Sequence, residues 1–212
     1  MSKVYIYKLT SDDGGAPCVS GGILSLAICK PAIRSTAQPG NVILGFAANS
    51  LYCDNCLVYA AKMTRHLDGR VYFSQRKYAS RPDCIYRWND YYFGWKDDAK
   101  YHSPGDLEHD LGASPQYVRA NVLLSERVEN FRYFKGECPI EYKALYPHLK
   151  SLIERLAQGH RVNFDPELQE ELRQFMERLW NEPSAYQETA VPEAPCRDRC
   201  SGGDDDFVQI DC

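Results

Sequence analysis

The stretch from residue 10 to residue 45 constrains the fold more than any other part of the chain, because it concentrates residues with unusual backbone preferences. A pair of glycines precedes Ala16-Pro17-Cys18, and a second pair opens an apolar run, residues 23 to 28, which ends at Cys29-Lys30-Pro31. Glycine permits positive φ and proline fixes φ. The pattern therefore predicts a loop of defined shape beside a short buried element.

Pro31 is well suited to the first position of a short helix over residues 32 to 37, because its missing N–H would have no partner there. Cys29 and Lys30 would then lie at the helix start, where free amides, Lys30 and Arg34 favour an anion such as a phosphate. The same field would favour a Cys29 thiolate. The alternative is a strand that ends in a buried cysteine and continues into a solvated basic turn.

Motifs in this stretch also carry a family resemblance. They are Thr10-x-Asp12-x-Gly14-x-Ala16-Pro17, Leu26-Ala27-x-Cys29-Lys30-Pro31-x-Ile33-Arg34 and the Gly40 turn into Val42-Ile43-Leu44-Gly45. This pattern resembles the second of the nucleotide modification associated domains, a bacteriophage and bacterial family linked to pathways that make or handle modified nucleobases. Weaker matches continue to Gln158-Gly159-His160-Arg161 and a following helical segment, so the resemblance covers about residues 3 to 180.

The residue chemistry and the resemblance together give two sets of candidate residues. The candidate catalytic residues are Asp12, to position a base or take a proton, and Cys29 or His160 as the reactive group. His160 is included because it follows a helix-ending glycine in a motif that matches the family. The candidates for phosphate or nucleotide binding are Gly14, Ala16, Pro17, Lys30, Arg34 and Tyr86. The sequence leaves the cofactor open.

The segment from residue 71 to residue 101 is unusually rich in aromatic side chains. Such rings could stack on a base or nucleoside, and Tyr86, Trp88 and Trp95 are the candidates for that role. The interpretation favoured for most of the rings is that they attach a long irregular segment to the core.

The sequence predicts no metal site. Metal-type side chains occur at His102, Asp106, Glu108, His109 and Asp110, but no helical or hairpin spacing unites them. Cys53-x-x-Cys56 has a distant second pair at Cys196 and Cys200, and the Asp-Asn between the first two cysteines favours a turn over a zinc site.

The chain has 212 residues, 44% hydrophobic residues and a net charge of −4. We expect one domain over residues 1–182 and an acidic, disordered tail over residues 183–212. Residues 181 to 212 hold eight acidic and two basic side chains, a net charge of −6, so the rest of the chain is mildly basic and a nucleotide ligand is electrostatically permitted. The overall charge argues against a surface built for long duplex DNA.

Neither an export signal nor a membrane-spanning apolar run is visible in the sequence. We therefore expect a cytoplasmic protein with no membrane partner, whose nine cysteines are reduced thiols.

Strand patterns dominate the first two thirds of the sequence, and two amphipathic helical patterns follow residue 139. The predicted class is α+β, with one mixed or mainly antiparallel sheet covered by the two C-terminal helices, and a partly closed barrel as the open alternative. The first function hypothesis is an enzyme acting on nucleotides or nucleobases in a base modification pathway. The alternatives are a non-enzymatic reader that binds modified bases in DNA or single-stranded nucleic acid, and an accessory subunit that contacts other pathway proteins.

Overall fold

The protein is described here by a computed structural model covering residues 2–186. Its strands are β1 Val4–Leu9, β2 Cys18–Ser20, β3 Ile23–Leu26, β4 Val42–Ala47, β5 Leu57–Lys62, β6 Arg65–Asp68, β7 Tyr86–Trp88, β8 Phe93–Trp95, β9 Asn121–Glu126, β10 Phe131–Tyr133 and β11 His160–Arg161. Its α-helices are α1 Pro31–Thr36, α2 Gly69–Ser74, α3 Leu107–Leu111, α4 Tyr142–Leu145, α5 Pro147–Arg155 and α6 Pro166–Leu179.

A mixed five-stranded sheet in the order β10-β5-β4-β1-β11 forms the centre of the fold. The strands β1 and β4 pair in parallel, and the other neighbours are antiparallel. Every residue of β4 is buried, as is every residue of β5 before Lys62. Continuous apolar runs of this kind belong to strands that are covered on both faces.

A second, antiparallel sheet in the order β2-β3-β9-β6 packs against the first. Side chains alternate between the faces of a strand. In β9, Leu123 joins the core between the two sheets, whereas Val122 and Leu124 join a separate core on the outer face. That outer core also contains residues of α2, α3 and the β7–β8 hairpin.

The helices α5 and α6 cover the other face of the mixed sheet. Leu149 and Ile153 of α5 and Leu172 and Phe175 of α6 are buried against Phe46 and its neighbours. Asp165 caps α6 by accepting a hydrogen bond from the Leu168 N–H at 2.8 Å. The spacing of these apolar residues is the helical periodicity that the sequence shows.

The predicted α+β class is confirmed, as is the covering of the mixed sheet by two amphipathic C-terminal helices. The strands of the described residues divide into two packed sheets and a hairpin, and no barrel closes among them. The predicted helix over residues 32 to 37 is α1. Among residues 2–186, none of the helices has the length and hydrophobicity needed to span a bilayer.

Cys56 and Cys138 form a disulfide, which departs from the expectation that all cysteines are reduced. The pairing of β10 with β5 explains their proximity, because it brings the chain after β10 beside the start of β5. Cys18, Cys29 and Cys84 remain thiols. Cys196 and Cys200 lie outside the described residues.

The described chain continues to contact the domain after Glu182, where the sequence predicted the domain to end. Ala185 N–H donates to the Tyr133 carbonyl at 2.7 Å, and the Tyr186 hydroxyl accepts from Gly22 N–H at 3.0 Å. The predicted disordered tail from residue 187 onward lies outside the described residues.

Candidate functional site

Three separate parts of the chain meet at the candidate site. The loop between β1 and β2 forms one wall, the turn between β3 and α1 supplies Cys29, and the segment that leads into α3 supplies His102. Cys29 and His102 both adopt left-handed backbone conformations, with φ of 54° and 58°. Such conformations are uncommon for residues other than glycine and are found at functional sites more often than elsewhere.

A chain of hydrogen bonds links Cys29, His102 and Asp110. The Cys29 Sγ lies 3.2 Å from His102 Nε2, and His102 Nδ1 lies 2.7 Å from Asp110 Oδ2. An ionised carboxylate only accepts hydrogen bonds, so Nδ1 carries a proton and Nε2 is the nitrogen that faces the thiol. The order of a nucleophile, a base and an orienting carboxylate is that of a catalytic triad.

Asp110 is fully buried and held from several directions. Its Oδ1 accepts the Cys29 N–H at 2.9 Å, and its Oδ2 also accepts the Tyr86 hydroxyl at 2.8 Å. Burial alone raises the pKa of Asp110, but the hydrogen bond and charge of His102, the charge of Arg34 and the Tyr86 hydroxyl outweigh burial. The pKa therefore lies below its ordinary value of 3.8, and Asp110 is a carboxylate at neutral pH.

Arg34 is fully buried beneath this chain rather than facing a ligand. Its guanidinium donates to the carbonyls of Cys29, Asp110, Arg119 and Asn121, and lies 3.9 Å from Asp110 Oδ1. These bonds fix the turn that carries Cys29 to the start of β9 and to α3. The guanidinium N–H groups that were predicted to bind a phosphate therefore donate to the protein's own carbonyls.

The amide of Cys29, expected to face an external anion at the start of α1, is also occupied. It binds the carboxylate of Asp110, so the anion at this position belongs to the protein itself. Arg34 and Tyr86, both predicted to bind a phosphate or nucleotide, instead surround that carboxylate.

A surface cavity of about 200 Å³ opens beside Cys29 and His102. Its wall comprises Leu9, Thr10, Ser11, Asp13, Gly15, Ala16, Ile28, Cys29, Lys30, Lys100, Tyr101 and His102. Cys29 is only 4% exposed, so a reagent or substrate reaches its sulfur through this cavity. Of the predicted site residues, the structure brings Cys29, Lys30 and Ala16 together at the wall.

The remaining predicted residues lie elsewhere in the described chain. Gly14 and Pro17 belong to the β1–β2 loop but do not contribute to the cavity wall. His160 lies in β11 at the edge of the mixed sheet, with its ring 5.7 Å from the ring of Tyr5. Burial and the charge of Arg161 lower its pKa. The structure therefore does not bring His160 to Cys29.

Asp12 does not line the cavity, and its side chain lies in a cluster of tyrosines. Its carboxylate accepts hydrogen bonds from the hydroxyls of Tyr133 at 2.9 Å and Tyr52 at 3.2 Å. Burial raises the pKa of Asp12, and the two hydroxyls oppose that rise. The neighbouring Tyr7 and Tyr59 hydroxyls bind each other at 2.9 Å. These contacts give Asp12 a structural role in holding the loop.

Most aromatic residues of the middle segment serve packing. Tyr86 is fully buried, with its ring edge-on to Phe73. Trp88 packs against Phe93, with ring centroids 4.8 Å apart, and the Arg70 guanidinium lies 5.2 Å from its ring. No ring face of Tyr86 is therefore open to a base.

His102 and Asp110 are the site residues that sequence reasoning missed as partners of Cys29. They lie 73 and 81 residues after Cys29, and the sequence analysis considered them only as metal ligands. Within residues 2–186, no group of three or more His, Cys, Asp or Glu side chains is placed to hold a metal ion. The available signal was weak, because Cys29 is one of nine cysteines and histidines and aspartates occur throughout the sequence.

The fold and site define an α+β protein with a Cys–His–Asp hydrogen-bond chain beside a small surface cavity. Comparison with protein families then identifies the family. The chain belongs to the nucleotide modification associated domain 2 family, whose model matches residues 1–194. No curated protein and no solved structure matches the chain. The family description associates the domain with nucleotide modification.

Proposed function

We propose that the protein is a thiol-dependent enzyme that acts on a nucleotide, a nucleobase or modified nucleic acid in a base modification pathway. Cys29 is the nucleophile, His102 is the general base and then the general acid, and Asp110 orients the imidazole. The hydrogen-bond chain Cys29–His102–Asp110 at the cavity is the observation that carries this proposal. The family supports the substrate class.

Each member of the chain has a defined chemical task. Asp110 holds the proton on His102 Nδ1 and so leaves Nε2 facing the Cys29 sulfur. His102 removes the thiol proton as the sulfur attacks an electrophilic carbon of the substrate, and Lys30 at the cavity wall keeps its predicted role in binding an anion. Asp12 and His160 have no part in this scheme, because neither side chain contributes to the described cavity wall.

A direct test is incubation with labelled nucleotides and with modified DNA, followed by mass spectrometry for products and for a covalent adduct on Cys29. We expect Cys29→Ser and His102→Gln to lower turnover by roughly 10²-fold or more. His109→Gln is the matched control, because His109 is exposed and belongs to the same segment. Turnover that survives Cys29→Ser would remove the nucleophile from the scheme.

The same experiment separates an enzyme from a non-enzymatic reader. A reader would bind modified DNA equally well after Cys29→Ser and would consume no substrate. The geometry gives this alternative less support, since Tyr86, one of its proposed stacking residues, is buried with its hydroxyl on Asp110.

A further inference from the structure

We propose that the substrate of Cys29 is an acyl compound with an anionic group, and that Lys30 and Lys100 bind that group at the cavity wall. The inference rests on the proposed role of Cys29 as a nucleophile and names the substrate class of that site. Lys100 adds a specificity-determining residue that the sequence analysis did not identify.

The charges at the cavity wall favour an anion. Lys30 follows Cys29 directly, and Lys100 comes from the segment that carries His102, so two cations approach from separate parts of the chain. The Lys30 ammonium lies 5.3 Å from the centre of the Tyr7 ring. Among residues 2–186, neither lysine takes part in a salt bridge that would neutralise its charge.

The carboxylate of Asp13 is the opposing charge at the described wall. Its Oδ1 accepts a hydrogen bond from the Gly15 N–H at 3.0 Å, within its own loop. The ionised groups of the wall therefore sum to a net positive charge, with His102 counted as neutral. An anionic group gains most when it lies between the two lysines and away from Asp13.

The position of His102 suits acyl chemistry. Nε2, the nitrogen that takes the thiol proton, lies 3.2 Å from Sγ. It is therefore placed to return that proton to a group that leaves the attacked carbon. Addition to a double bond would also use this base, but it would then require the proton at an atom next to the attacked carbon.

The steps balance as an acyl transfer. A bond forms between Sγ and the acyl carbon, the bond from that carbon to nitrogen or oxygen breaks, and Nε2–H protonates the leaving atom. Water or an amine then attacks the thioester and gives its proton to Nε2. The carbon–sulfur bond breaks, and that proton returns to Sγ.

The cavity size indicates how much of the substrate enters. About 200 Å³ is below the range of roughly 300–1,000 Å³ that is common for ligand pockets. It accommodates the acyl carbon and a short anionic side group, so the bulk of a nucleotide or a nucleic acid would remain at the opening.

The test uses two activated esters of similar length, mono-4-nitrophenyl succinate, which is anionic, and 4-nitrophenyl butyrate, which is neutral. Nitrophenolate release and the thioester mass on Cys29 are measured for the full chain. We expect the ratio of anionic to neutral acylation rates to fall about tenfold in Lys30→Met/Lys100→Met. Asp13→Asn should raise the ratio, because it removes the opposing charge.

Lys62→Met is the matched control. Lys62 is exposed and pairs with Val42 at the start of β4, whereas the cavity adjoins Leu9, which pairs with Ala47 at the end of β4. Removing its charge should leave the ratio unchanged. If wild type and the double lysine variant gave the same ratio, the proposal that the substrate carries an anionic group bound by these lysines would be wrong.

A second measurement distinguishes failure of this inference from failure of the proposed function. The rate at which iodoacetamide alkylates Cys29 in wild type and in His102→Gln reports the thiol–imidazole pair alone. Alkylation that depends on His102, without acylation by either ester, would overturn the acyl substrate and leave the nucleophile in place. Alkylation that does not depend on His102 would overturn the proposed function itself.

Discussion

Asp110 accepts hydrogen bonds from the Cys29 amide, the Tyr86 hydroxyl and the His102 imidazole while it is fully buried. Leaving a buried polar group without a partner costs about 1–3 kcal/mol, so each of these donors also stabilises the fold. At the scale of single residues, the candidate site and the stability of its surroundings therefore depend on the same contacts.

Tyr86→Phe tests this dependence. Because the Tyr86 hydroxyl helps to lower the pKa of Asp110, its removal should raise that pKa and cost about 1 kcal/mol at pH 7. A lowered folded-state pKa stabilises the protein above the unfolded value of 3.8, and this stability is lost as the pH falls through the folded value. Urea unfolding between pH 3 and pH 7 should show a smaller loss of stability below pH 3.8 in the variant, because its folded-state pKa lies closer to the unfolded value.

The control for that series is Tyr91→Phe, since Tyr91 is 82% exposed. Its unfolding curves should coincide with those of wild type across the pH range. Coincident curves for Tyr86→Phe as well would show that the hydroxyl contributes nothing to Asp110.

Asp12→Asn tests the structural role of Asp12. Burial raises the folded-state pKa of Asp12, so the ionised side chain destabilises the protein at pH 7 and this cost disappears as the pH falls below the folded value. Asparagine keeps an oxygen for the Tyr133 hydroxyl, places an NH2 donor where Oδ2 accepts from Tyr52, and removes the charge. We expect it to raise the free energy of unfolding by on the order of 1 kcal/mol at pH 7, and the gain should shrink in acid.

The alkylation rate of Cys29 should be unchanged in Asp12→Asn, because Asp12 does not line the cavity. A large fall in that rate in a stable, folded variant would support the predicted catalytic role of Asp12.

The sequence could predict that Cys29 and Lys30 lie together, because they are neighbours in the chain at the start of α1. It could not predict His102 as the hydrogen-bond partner of Cys29, since a contact over 73 residues is created only when α3 and its preceding segment pack against α1 and the outer sheet. The position of Arg34 also depends on packing that the sequence does not show. Its spacing from Lys30 predicted two cations near one helix end, but the packing of α3 buries the guanidinium on backbone carbonyls.

At the scale of elements, the parallel pairing of β1 and β4 places the β1–β2 loop. Gly45 of β4 pairs with Tyr7 of β1, and Tyr59 of β5 lies on its other side. A Cβ at Gly45 would lie 2.6 Å from Tyr59 Cδ1 and 2.7 Å from Leu9 Cδ1. Only glycine leaves room for both side chains at this point of the sheet.

Gly45→Ala should therefore destabilise the fold by about 1–3 kcal/mol through overpacking. Gly105→Ala is the control, because its Cβ would meet only Ser103 Oγ at 3.5 Å. Urea unfolding of both variants measures the difference. Equal stability of Gly45→Ala and wild type would mean that Tyr59 moves without cost.

Periodicity predicted α5 and α6 and the main strands because it is a local property of the sequence. It could not assign β9 to a second sheet, since alternate residues of that strand are buried on both faces and only pairing with β3 and β6 distinguishes the two sheets. The division into two sheets therefore came from the structure.

At the scale of the whole molecule, the chain after α6 returns to β10 and stabilises the domain through contacts there. Tyr133 N–H donates to Ser184 Oγ at 3.0 Å, and the Tyr186 ring packs edge-on against Phe131. We expect a chain that ends at Glu182 to be less stable than one that ends at Tyr186 by about 1–3 kcal/mol, from lost hydrogen bonds and lost burial.

The urea midpoints of these two chains measure that contribution. Tyr186→Phe in the longer chain separates the hydrogen bond to Gly22 from ring packing, because the ring is retained. Identical midpoints for the chains ending at Glu182 and Tyr186 would show that the predicted boundary at residue 182 is adequate.

In the proposed mechanism His102 activates Cys29, and this activation can be measured as the pH dependence of Cys29 alkylation by iodoacetamide in wild type, His102→Gln and His109→Gln. We expect His102→Gln to slow alkylation at pH 7 by about tenfold or more and to change the pH profile, whereas His109→Gln should do neither. Matching rates and profiles in all three proteins would contradict it.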